Sequence, residues 1–174
     1  MIKWVNYFVR LCFLKAQPEE APFSKIAQYT TVLVYWFLGV ILLLSTQPYV
    51  SSIILSFIQT VIFLFLTSLV LWIKNLPERI NQTITALMGT GAFITFVALP
   101  IVYGTGDLSS TGGSLWMLIA IVLLLWQAII SGNIFRFALD IPYIAGLGIA
   151  LLFTYMTFTV TFRLMRVLAF SAGS

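Results

Sequence analysis

Four long stretches of this chain contain no charged side chain, and their lengths limit what it can fold into. Between Lys25 and Lys74 lie 48 uncharged residues; Arg79 to Asp107 leaves 27, Asp107 to Arg136 leaves 28, and Asp140 to Arg163 leaves 22. The hydrocarbon core of a bilayer is about 30 Å thick and takes about 20 helical residues per crossing, at about 1.5 Å of rise per residue. The last three stretches each hold one crossing, and the first holds two. Water is a poor alternative solvent. With 61% hydrophobic and 8% charged residues and a mean hydropathy of +1.07, the chain has too few polar groups to cover a soluble domain of its size.

The first stretch has one polar, helix-breaking cluster, Ser45-Thr46-Gln47-Pro48. Proline lacks an amide hydrogen and restrains the residue before it, so the turn is expected there. The fold class is therefore an all-α polytopic bundle with spans at 27–46, 50–73, 83–104, 115–132 and 141–162. Pro100 is expected to kink the third span or begin its exit, and Pro142 to sit in the first turn of the fifth, where a missing amide hydrogen costs little.

Two regions follow from this reading: residues 1–26, a membrane-surface helix and connector, and residues 27–174, one transmembrane domain. In the segment 2–15, Lys3, Asn6 and Arg10 fall on one helical face, while Trp4, Tyr7, Phe8, Leu11 and Phe13 occupy much of the rest. That pattern predicts an amphipathic helix in the headgroup region. It does not fit a cleaved leader, since Arg10 interrupts the apolar run and Gln17-Pro18-Glu19-Glu20 follows where small residues would be needed. The connector 16–25 contains two prolines and ends near Ser24, a helix-capping residue type.

Cationic loops resist translocation, so the distribution of Lys and Arg predicts orientation. Lys3, Arg10, Lys15, Lys25, Lys74, Arg79 and Arg136 fall on one side of a five-span chain, and Arg163 and Arg166 on the other. An N-terminus inside the cytoplasm is expected, with the two tail arginines, like Lys3 and Arg10, reaching lipid headgroups. Placed this way, the net charge of +4 reflects topology and not nucleic-acid binding.

No catalytic constellation is legible. Histidine is absent, Cys12 is the single cysteine, and the five acids all fall in loops or at membrane edges. No metal, no cofactor and no enzymatic activity are expected. The glycine-rich segment 104–114 lacks the lysine of a phosphate-binding loop and reads as an external turn. Asn81-Gln82-Thr83 matches a glycosylation triplet, at a membrane edge where modification is not expected.

What the spans do hold is uncharged polarity and small residues. Gln59 and Gln127 lie near the middles of the second and fourth spans, where lipid offers an amide no partner, so both are expected to face the bundle interior and make interhelical contacts. Gly89 and Gly91, with Gly146 and Ala150 at small-xxx-small spacing, are expected to be close-packing positions. Arg136 and Asp140, four apart, are expected to pair.

Asn81-Gln82-Thr83-Ile84-Thr85-Ala86-Leu87-Met88-Gly89 leading to Ala98-Leu99-Pro100-Ile101, then Leu124-Leu125-Trp126-Gln127 and Phe137-Ala138-Leu139-Asp140-Ile141-Pro142, resemble the Yip1 family of small five-helix membrane proteins over roughly residues 27–160. The resemblance implies a cytoplasmic N-terminus. Eukaryotic members resemble trafficking factors that associate with small GTPases through a longer N-terminal region, and that property is not carried over to a segment of about 25 residues. A bacterial inner-membrane relative is the expectation. Its expected role is a scaffold, assembly factor or accessory subunit, whose partners are membrane lipids and other membrane proteins or further copies of itself; a small oligomeric transporter or channel subunit is the alternative.

Overall fold

The computed structural model describes residues 2–14, 24–104 and 113–172, with side chains described over 6–14, 24–104 and 117–166. Among these residues every regular element is helical: α1 (Ile2–Cys12), α2 (Lys25–Leu43), α3 (Tyr49–Ile73), a 3-10 turn (Pro77–Arg79), α4 (Ile80–Gly104), α5 (Gly113–Leu139) and α6 (Tyr143–Ala172). The five helices α2 to α6 are long and apolar enough to cross a membrane. The protein is an all-α helical bundle of the membrane-spanning type. The turn at Ser45 to Pro48 falls where proline chemistry placed it.

α4 is the axis of the bundle. Every residue from Thr83 to Ala92 is buried, a continuous run that no other helix shows. Hydrocarbon solvates leucine as well as a protein interior does, so helices in lipid associate through close packing and not through burial of greasy surface. The segment Thr83-Ile84-Thr85-Ala86-Leu87-Met88-Gly89-Thr90-Gly91-Ala92 mixes small residues with larger ones, Gly89 facing α1 and Gly91 facing α2, and α1, α2, α3 and α5 all pack against α4. The threonines bring little polarity to that core. Thr83, Thr85 and Thr90 donate to the carbonyls of Arg79, Asn81 and Ala86, each four residues earlier.

The two ends of the bundle are distinguishable. α2 and α4 run parallel, with Tyr35 beside Gly91 and the Tyr103 hydroxyl donating to the Ile41 carbonyl. At the opposite end Arg79 donates to the Phe137 carbonyl at 3.0 Å and pairs with Asp140 at 2.9 Å. Lys25, Lys74, Arg79 and Arg136 therefore share one end of the molecule. Arg163 and Arg166, exposed on α6, lie toward the other.

Two expectations about the elements need correction. The fourth span does not stop at 132: α5 continues to Leu139 because Gly132 meets the backbone of Leu147 and Ile134 and Phe135, both 0% exposed, fill the core beyond it. Arg136 does not pair with Asp140. Asp140 takes a left-handed conformation at φ 51°, the Ile141 amide closes onto the Arg136 carbonyl, and the carboxylate meets Arg79 while Arg136 lies over the Phe137 ring, 5.2 Å from its centre. Pro100 lies inside α4, which ends at Gly104, where the third span was expected to end.

The first helix forms as expected and also rests on the bundle. It spans Ile2–Cys12 and then turns, and its apolar face is covered by protein: Leu11 and Cys12 are 0% exposed, while Asn6 and Arg10 face outward. α1 packs on α4 as part of the same body as the spans. Ser24 stands at the start of α2 without a side-chain capping bond. The glycine-rich segment and most of the connector lie outside the described residues, as does the side chain of Lys3.

The Asp140 corner makes a measurable prediction. An exposed ion pair is worth roughly 0.2–1 kcal/mol, whereas a left-handed residue gains from losing its Cβ. Asp140→Gly should change thermal stability in detergent by less than about 0.5 kcal/mol, because the two effects offset. Asp140→Val, which removes the pair and forces a β-branched residue into the left-handed region, should cost about 1–2 kcal/mol. Equal losses in both variants would contradict this account of the turn.

Candidate functional site

A glutamine amide in hydrocarbon has no water to bond, so its surroundings carry information. Gln59 from α3 and Gln127 from α5 line one cavity of about 250 Å³ in the middle of the bundle. Tyr35 from α2, Thr95 from α4 and Thr154 from α6 share its wall, so all five spans contribute to it. Among the described residues no charged side chain lines it. A second cavity of about 280 Å³, toward the end where α6 carries Met165, shares Tyr35, Gln59 and Thr95 with the first.

Hydrogen bonding in this region is incomplete. The Gln127 Nε2 donates to the Ser131 hydroxyl at 3.3 Å, one turn along α5, and the Gln127 Oε1 is buried with no partner among the described residues. The Gln59 amide makes no hydrogen bond among them. The hydroxyls of Thr154 and Thr157 are bonded to the carbonyls of Ala150 and Phe153, four residues earlier on α6. Buried unpaired polar atoms are uncommon because each costs roughly 1–3 kcal/mol, so the unpaired Gln127 Oε1, in a cavity that Gln59 also lines, is a defined feature. Gln59 and Gln127 border one space and are not bonded to each other; the interhelical hydrogen bonds expected of them are not formed among the described residues, and Gln127 bonds along its own helix instead.

The close-packing residues have separate partners. A side chain at Gly146 would collide with the Gly132 carbonyl and approach the Arg136 amide to 2.9 Å, which marks a backbone-to-backbone contact of α5 with α6. Gly91 gives room to the Tyr35 ring, and Gly89 forms a notch that the Phe8 ring of α1 fills. Ala150, 2% exposed, packs beside Phe135 and Phe153 in the core and also borders the central cavity. Gly132 was missed by sequence reasoning. The signal available was its small size opposite Gly146, but without the fold nothing identified which helix faces which.

The docked first helix is a second feature that sequence reasoning missed. The Trp126 indole donates to the Cys12 carbonyl at 3.0 Å, and the rings of Phe13 and Trp126 approach to 5.7 Å. Burial pushes the Cys12 thiol from 9.0 up to about 12, because the thiolate loses its hydration where no cation replaces it. Cys12 is thus a packed side chain. Of the cationic residues expected at headgroups, Arg10, Arg163 and Arg166 are exposed and free to reach them.

Chemically, the arrangement can hold a neutral molecule and fix helices against one another. Among the described residues no group of three or more metal-ligating side chains comes together. No family model, no curated protein and no solved structure matches the chain.

Proposed function

We propose that this chain is a non-enzymatic integral membrane protein that serves as a scaffold, assembly factor or accessory subunit for other membrane components. One observation carries the reading: four side-chain hydrogen bonds between separate elements end on backbone carbonyls, with Ser56 bonded to Trp36, Tyr103 to Ile41, Trp126 to Cys12 and Arg79 to Phe137. Bonds of this kind fix helix positions irrespective of any substrate, and together with the Gly132–Gly146 contact they suit a rigid platform. Arrangement of Lys25, Lys74, Arg79 and Arg136 at one end supports a cytoplasmic N-terminus by the positive-inside rule, in what we propose is a bacterial inner membrane. Extraction in a mild detergent should recover the protein in an assembly larger than one chain and its detergent belt, with a defined partner or further copies. A strictly monomeric particle under those conditions would count against the reading.

The central cavity favours a second reading, a small carrier or channel subunit that passes a neutral solute along the polar wall formed by Gln59, Gln127 and Thr95. Reconstituted liposomes should then leak small uncharged polar solutes faster than protein-free ones. Equal permeability would remove this alternative and leave the first untouched.

A further inference from the structure

We propose that the central cavity is a binding site for a neutral, hydroxyl-bearing lipid. The inference does not depend on whether the bundle acts as platform or carrier, since it concerns only what occupies the space.

Three observations carry it. The first is the Gln127 amide, whose Oε1 is buried with no partner among the described residues, in a cavity that the half-buried Gln59 also lines. The second is the composition of the rest of the wall, where Phe63, Ile94, Leu123 and Phe135 present hydrocarbon and no charge. An ionic ligand would leave its charge uncompensated in a medium of low dielectric, which excludes phosphates, carboxylates and ammonium groups from the polar end of the site. The third is access. Ala120 and Leu124 on α5 and Phe158 on α6 line the cavity and are also exposed at the bundle surface, so its mouth opens sideways toward lipid tails. α5 and α6 touch backbone to backbone at Gly132 and Gly146, and the mouth lies further along both helices, beyond that contact.

A hydroxyl fits the amides better than any other single group. It donates one hydrogen bond and accepts others, so it satisfies an amide presented by either its oxygen or its nitrogen. At about 30 Å³ per water, a cavity of about 250 Å³ has room for a hydroxyl and several methylene groups, the remainder of the chain leaving through the mouth. A lipid alcohol of this kind enters from the bilayer without crossing water, as a mouth lined by Leu124 and Phe158 requires.

The test uses the full-length protein in lipid nanodiscs and two photoreactive probes of equal length, a twelve-carbon primary alcohol and the matching alkane, each carrying a diazirine. The alcohol should label peptides containing Leu123–Leu124 and Thr154–Phe158 saturably, about tenfold more than the alkane, the ratio expected for one net hydrogen bond in a site that excludes water. The double variant Gln59→Leu, Gln127→Leu should reduce alcohol labelling to the alkane level. Ala98→Phe, which fills the cavity and keeps both amides, should abolish labelling of those peptides by both probes. Equal labelling of the unmodified protein by alcohol and alkane would overturn the proposal without reference to any variant. So would unchanged alcohol labelling in the double variant.

Discussion

Replacing Gly146 with leucine is expected to destabilise the bundle by about 3 kcal/mol or more, whereas replacing Gly148, two residues along the same helix, is expected to change stability by less than about 0.5 kcal/mol. At Gly146 the atoms that a side chain would meet are backbone: the Gly132 carbonyl and the Arg136 amide and Cα of α5. Backbone cannot rotate aside as a side chain can, so α5 and α6 must separate, and every contact along their shared seam is strained. At Gly148 a Cβ meets nothing within 4 Å. Alanine there should even help slightly, because glycine is the more flexible residue in the unfolded chain. Thermal denaturation in one detergent, read by aggregation or by circular dichroism, measures both variants against the parent. Two equal effects would mean that glycine content, and not the contact of α5 with α6, sets the stability of this region.

Cys12 should resist alkylation by roughly a thousandfold in the folded protein and recover ordinary reactivity when α1 is displaced. The thiolate is the attacking species, and a thiol raised from 9.0 to about 12 has roughly a thousandfold less of it near neutral pH. Burial at 0% exposure adds a steric barrier. An ordinary thiol would level off in rate above pH 9, while Cys12 should continue to speed up through pH 11. The linkage has a matching sign: a folded value above the ordinary one stabilises the docked helix fully below about pH 9, and that contribution is lost as pH rises from 9.0 toward about 12. Gly89→Leu fills the notch that holds the Phe8 ring, so it should release α1 and restore fast alkylation while the five spans remain helical. Fast labelling of the unaltered protein at pH 8 would show that α1 does not stay docked.

How far the fold could be read in advance depended on the solvent that each residue meets. Charge-free stretches reported the spans because an ion in hydrocarbon is costly wherever it sits, and Pro48 marked a turn because its chemistry is local. Gln59 and Gln127 were legible as interior residues for the same reason. The cavity they share was not, since it depends on which faces of five helices meet. Gly132 looked like the end of a helix because glycine disfavours helices in isolation; against Gly146 it is the residue that lets α5 continue to Leu139. α1 was read as a surface helix because its amphipathic pattern suits a membrane interface and a protein groove equally well. The Gly89 notch and the Trp126 donor show that α1 rests on the bundle, and both lie far along the chain from it.

The central claim is that the chain crosses the membrane at each of its long apolar helices, and labelling of single cysteines from the two faces of sealed vesicles tests it most directly. In a Cys12→Ser background, Thr46→Cys, Asn75→Cys and Asp140→Cys place thiols at exposed turns between α2 and α3, α3 and α4, and α5 and α6. A membrane-impermeant maleimide should reach Thr46→Cys from one face only, and Asn75→Cys and Asp140→Cys from the opposite face only, consistent with the contact of Arg79 with Asp140 at one end of the bundle. Labelling of Thr46→Cys and Asn75→Cys from the same face would mean that α3 does not cross, and would contradict the account.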